Sequence, residues 1–107
     1  MIVVNTENIS GRTYRTLSLV TGCCIMSKNL VRDFGQGLRN MVGGEMGAYT
    51  QMLNEAKERA IEKMIENAEQ MGADAIVNVR FSSSSIVQGG AEILAAGTAV
   101  KLLDEDR

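Results

Sequence analysis

Between Ala48 and Met71 the residues Met52, Leu53, Ala56, Ala60, Ile61, Met64, Ile65, Ala68 and Met71 recur at three- and four-residue steps. Only a helical period gathers such positions onto one face. The opposite face carries Glu55, Lys57, Glu58, Arg59, Glu62, Lys63, Glu66 and Glu69, with Glu55 and Arg59 in the favourable i,i+4 order. The pattern predicts a helix of about six turns, closed by Gly72 as the left-handed residue past its end. A chain of 107 residues has room for one domain and one core around that helix. At this size folding removes roughly 65% of the surface the unfolded chain exposes, so association of copies is a natural supplement to stability.

The rest of the chain divides into short elements. Ile2-Val3-Val4 is β-branched and reads as an edge strand, ended by the polar run from Asn5 to Gly11. From Arg12 to Thr21 alternation places Tyr14, Thr16, Ser18 and Val20 on one face and Thr13, Arg15, Leu17 and Leu19 on the other. Neither set is cleanly apolar, which implies a strand contacted on both sides, with Gly22 marking a bulge or turn before Cys23 and Cys24. Leu30, Val31, Phe34, Leu38, Met41 and Val42 repeat at helical spacing and predict a shorter helix over 29–42. Gly35 and Gly37 weaken it by about 1 kcal/mol each relative to alanine, a cost that close packing against another backbone would offset. After the long helix, Val77, Val79 and Phe81 alternate with Ile76, Asn78 and Arg80 as a strand. Ser82 to Ser85 suits a solvated strand end or a loop, and Gln88-Gly89-Gly90 reads as a hairpin turn. The return strand, Ala91 to Leu103, gathers Ala91, Ile93, Ala95, Gly97, Ala99 and Lys101 on one face. Its strip of Ala95, Gly97 and Ala99 is flat enough to admit the long helix or a neighbouring subunit at short range.

Composition removes several chemistries. The chain has no histidine, which excludes imidazole acid–base catalysis, imidazole metal ligands and Ser-His-Asp triads. Eleven basic against 13 acidic residues give a net charge of −2, and no basic run offers to neutralise a phosphate backbone. The aromatics Tyr14, Phe34, Tyr49 and Phe81 are too scattered for a base-stacking platform. Nucleic acid is therefore not an expected partner. No apolar run approaches the 18 or so residues a membrane span requires, and the opening Met1-Ile-Val-Val-Asn-Thr-Glu lacks the pattern of a secretory signal. The expectation is a soluble cytoplasmic protein with no membrane partner.

Seven local strings carry a resemblance. Val20-Thr21-Gly22, Arg32-Asp33-Phe34, Gly37-Leu38-Arg39, Val42-Gly43-Gly44, Gly47-Ala48-Tyr49, Gly72-Ala73-Asp74-Ala75 and Gly97-Thr98-Ala99-Val100-Lys101 stand in the order and spacing of the YbjQ-like family of small prokaryotic proteins, which the chain resembles from about Val20 to Lys101. The resemblance implies an α+β, dodecin-like subunit over residues 1–107, with an antiparallel sheet against one long helix and a shorter one. It also implies a ring-shaped homopentamer and a family label of heavy-metal binding inferred from structural comparison. No catalytic residue comes with it. From the residues themselves, a cyclic ring needs a heterologous interface that closes, and the mixed faces of the first long strand together with the small-residue strip suit such packing.

Candidate sites each have a plain structural alternative. Cys23 and Cys24 are the metal candidates, but neighbours on a strand point to opposite faces, so one chain cannot build a Cys₄ or Cys₂His₂ site. Rings of Cys23 or Cys24 about a symmetry axis would bind a soft metal between subunits, and the alternative is a pair of small core residues. Arg32 and Arg39, seven residues apart and on one helix face, suit a carboxylate or phosphate, or else an intersubunit salt-bridge network with Asp33 or Asp74. Tyr49 reads as a ligand-facing hydroxyl or as a packing residue. Gly43-Gly44-Glu45-Met46-Gly47 opens a helix as an anion cradle would, with Glu45 against it, or forms an interhelix turn. The methionines, seven in all, read as core filling rather than a thioether copper site. Together these readings lead to a non-enzymatic oligomeric protein holding a heavy-metal ion or small ligand, with a ligand-free scaffold as the alternative and a thiol-dependent enzyme as the remote one.

Overall fold

The computed structural model describes residues 1–26, 45–85 and 91–103. Their elements are β1 (Ile2–Val3), β2 (Tyr14–Met26), α1 (Glu45–Gln70), β3 (Ala75–Ser85) and β4 (Ala91–Leu102). The strands form one sheet in the order β1-β3-β4-β2. β2 and β3 are antiparallel to β4 on either side of it. β1 runs parallel to β3, pairing Ile2 with Ala75 and Val3 with Ile76, so the α+β sheet is mixed rather than purely antiparallel. The expected helix over 29–42 and the Gln88–Gly90 turn lie outside the described residues.

The long helix starts at Glu45 and stops at Gln70, and Gly72 follows at a φ of +83°, the left-handed geometry its missing Cβ permits. Its innermost line is Ala56, Ala60, Met64 and Ala68, spaced by four and buried against Val20, Cys24, Ile93, Ala95 and Ala99. Leu53 and Ile65 flank that line. Met71, assigned to the stripe by periodicity, lies past the last helical residue and is exposed. Three of the four innermost residues are alanine because the helix rides close over β2. A Cβ on Gly22 would collide with the carbonyl oxygen of Ala60 and the backbone of Met64. Gly22 therefore seats the helix and does not end the strand, which continues through Cys23 and Cys24 to Met26.

Bulges fix which side chains face α1. In β2 the register with β4 shifts between Thr16 and Ser18, so Leu17 and Val20 both pack on the helix side while Tyr14 belongs to a second cluster. Simple alternation had placed Tyr14 and Val20 together; the inserted residue reverses the parity. β3 has a second bulge between Val77 and Arg80, where Asn78 takes a φ of +61°. Ile76 and Val79 both join the helix-side core, and Val77 joins the second cluster. That inversion explains Gly97. A Cβ there would lie 2.7 Å from Cγ2 of Ile76 and 3.1 Å from Cγ2 of Val79, so the glycine in the flat strip accommodates the bulged strand beside it, whereas its neighbours on the same face, Ala95 and Ala99, pack in the core beneath α1.

The second cluster, Ala75, Val77 and Val100, lies on the face away from the helix and is covered by Val4, Ile9, Tyr14 and Leu102. Residues after β1 cross this face as a strap. The amides of Asn78 and Val79 donate to the carbonyls of Thr6 and Val4, at 2.9 and 3.1 Å. The Arg80 guanidinium donates to Asn5 O, and the Tyr14 hydroxyl donates to Glu7 O at 2.6 Å. At the other end of α1, Asp74 accepts from the Leu102 amide at 2.9 Å and pairs with Lys101.

Candidate functional site

The strap covers only the part of that face next to β1. Beyond it β2 and β4 present Leu19, Thr21, Cys23, Ile25, Leu94 and Ala96, since their sequence neighbours Val20, Cys24, Ile93 and Ala95 point into the helix-side core. Leu19 is 69% and Ile25 59% exposed. Glu92 adds a carboxylate beside them, one step diagonal from Cys23 across the β2–β4 ladder, where Cys23 pairs with Leu94 and Ile25 with Glu92.

Cys23 and Glu92 meet. The thiol donates to Oε2 of Glu92 at 3.0 Å. That bond raises the Cys23 pKa above its usual value near 9.0; partial burial and the negative charge of Glu92 add to it, and Lys63 opposes it. Hydrogen bonding to the protonated form holds the proton in place. The thiol is thus a poor nucleophile at neutral pH, the reverse of the depressed pKa that marks a reactive cysteine. Displacing its proton would leave a soft sulfur and a hard oxygen side by side on an accessible face.

Cys24 takes no part in this pair. It is buried in the core with Val20 and Ala60, and both cysteines are free thiols. Among the described residues no three Cys, Asp or Glu side chains converge on a common point, so one chain offers the Cys23–Glu92 pair and no closed metal cage. Arg32 and Arg39 lie outside the described residues, as do Gly43 and Gly44. Tyr49 falls in the first turns of α1, and its side chain is outside what the structure describes. Reading the sequence residue by residue singled out Cys23 but missed Glu92, whose partnership depends on strand register. The visible signal was a carboxylate on the same face of β4 as Leu94 and Ala96.

An α+β subunit with one long helix over a four-stranded sheet is the class that this geometry defines. A family model described as "Putative heavy-metal-binding", that of YbjQ, matches residues 1–103. The chain is similar to a UPF0145 protein of Clostridium novyi, with 52% identity over 96% of this chain and 100% of the relative. It is similar also to a UPF0145 protein of Methanosarcina acetivorans, with 50% identity over 97% of this chain and 99% of the relative. The chain belongs to this YbjQ/UPF0145 family. Its fold is shared with the crystal structure of a DUF74-family protein of unknown function from Pediococcus pentosaceus, at a TM-score of 0.59 and 13% identity, covering 96% of this chain and 98% of the other. Among the described residues no helix is long and apolar enough to cross a membrane.

Proposed function

We propose that the chain is a non-enzymatic, cytoplasmic, homo-oligomeric binding protein in which Cys23 and Glu92 hold a soft metal ion together with donors from a neighbouring copy. The observation that carries this reading is the 3.0 Å contact between Cys23 Sγ and Glu92 Oε2 on a face that the other described residues leave uncovered. A thiolate and a carboxylate suit zinc or a heavier soft cation. Four-coordinate sites need more donors than this pair supplies, and Leu19 and Ile25 beside it give a second copy apolar surface to bury. The description of the family model supports the chemistry, and the family resemblance implies a dodecin-like ring of five copies as the assembly. Binding replaces the Cys23 proton, so metal affinity rises with pH over the range in which the thiol stays protonated.

The protonated, hydrogen-bonded thiol favours a second reading, a scaffold without ligand, because the pair already satisfies itself. Native mass spectrometry of the untagged protein, with and without added zinc or cadmium, separates the two. The binding reading expects an oligomer with a discrete metal mass that Cys23→Ser removes while the oligomer persists. An oligomer that takes up no metal supports the scaffold, and a monomer at all concentrations overturns both.

A further inference from the structure

A different surface, on the helix side of the sheet, carries an independent inference. Among the described residues, α1 packs over β2 and β4 and leaves the far half of β3 uncovered, with a groove of about 370 Å³ between the helix and that strand. Leu53, Phe81 and Ile93 form its apolar walls, and Lys57, Asn54 and Ser83 stand around them. The Asn78 bulge builds this groove. With unbroken alternation Phe81 would share the face of Val77, under the strap; the bulge brings Val79 to the helix side and Phe81 after it, at the level of Ala95. Phe81 remains 46% exposed there. A non-glycine residue at positive φ is a costly way to turn a strand, and here it delivers an aromatic ring to a recess of the size that takes small ligands.

Charge selects among the ligands. Lys57 reaches the groove from the exposed side of α1, and among the described residues no carboxylate lies within ion-pair distance of it. Glu55, on the same helix, pairs with Arg59 at 3.2 Å. An ammonium, an amide and a hydroxyl beside an aromatic and two aliphatic walls are complementary to an apolar body bearing one acidic head. We propose that this groove binds a small organic anion, its apolar part against Phe81, Leu53 and Ile93 and its acidic group at Lys57. The site shares no residue with the Cys23–Glu92 pair, and its occupancy does not depend on metal.

The probe is 8-anilinonaphthalene-1-sulfonate, with uncharged N-phenyl-1-naphthylamine as control. Fluorescence titration is expected to show saturable binding of one sulfonate per subunit, with amide chemical-shift changes centred on residues 53–57 and 81–83. Lys57 is exposed, so Lys57→Glu folds and weakens the sulfonate at least tenfold, whereas Lys57→Arg retains it. Ser83→Trp fills the recess from the exposed rim and abolishes binding with no change of charge. Equal affinity for the neutral probe, indifference to Lys57→Glu, or shifts mapping to Leu19–Ile25 would overturn the assignment. So would loss of the site as the protein associates, which would make the groove an interface between copies.

Discussion

The two faces of the sheet are solved by different means. Towards α1 the fit is backbone to backbone: Gly22 lies under Ala60 and Met64, and small residues line the contact. Away from α1 an irregular strap covers one half, while the other half leaves Leu19 and Ile25 in the open. The first face and the strapped half of the second hold the subunit together, whereas the open half has apolar area that no other described residue buries. Substitutions should separate these roles cleanly, with losses of fold on the helix side and losses of association on the other.

The largest effect is expected at Gly22. Gly22→Val places a side chain against the main chain of α1, which no rotamer change relieves, so the loss should exceed the 1–3 kcal/mol or so typical of overpacking. Urea unfolding with far-UV circular dichroism should show the variant largely unfolded in buffer. Retention of most of the stability would mean that the helix is free to lift off, and the contrast between the faces would fail. Next comes Met64→Ala, which empties the largest fully buried side chain among the described residues and should cost about 2–5 kcal/mol.

Gly97 tests the bulge. Here the obstruction includes the side chains of Ile76 and Val79, which give more readily than backbone. Gly97→Ala should cost about 1–3 kcal/mol. Combined with Ile76→Leu, which removes the branched methyl nearest the new Cβ, it should recover part of that loss. A double-mutant cycle reads the coupling directly, and zero coupling would contradict the inverted parity of β3. On the open face, Leu19→Lys and Ile25→Lys should leave subunit stability within about 0.5 kcal/mol. Both should nevertheless lower the oligomer mass in sedimentation velocity.

These contrasts also show what the sequence reveals. The helix was plain because its stripe repeats over six turns, and the end glycine and return strand followed from local residue types. Ile93, Ala95, Gly97 and Ala99 are all buried on one face, as alternation requires. The mixed sheet was hidden, because pairing β1 with β3 joins residues over seventy positions apart. Both bulges escaped as well, since Leu17 and Asn78 look like ordinary alternating positions until a partner strand fixes the register. Gly22 was recognised as special for the wrong reason: close approach of a distant helix and a local turn make the same demand on one residue. For the site, a cysteine pair was legible, yet only the ladder shows that Cys23 meets Glu92 while Cys24 joins the core.

The smallest effect is the most specific to the open face. Cys23 is an acid whose folded-state pKa lies above the usual 9.0, chiefly through its bond to Glu92. Below that value the thiol is protonated in both the folded and unfolded chain, and the stabilising contact is fully present. As pH rises past 9.0 the unfolded thiol ionises first, the folded state then binds more protons, and stability must fall. Cys23→Ser removes the titration, and Glu92→Gln removes the carboxylate responsible for the largest part of the shift. Urea midpoints between pH 7 and 10.5 should therefore decline less steeply in either variant than in the parent, by a few tenths of a kcal/mol for so open a site. Cys24→Ala should cost stability already at pH 7, because Cys24 packs in the core. A parent and Cys23→Ser variant with superimposable pH profiles would show that the thiol and carboxylate do not share a proton, and the pair would lose its standing as the centre of the open face.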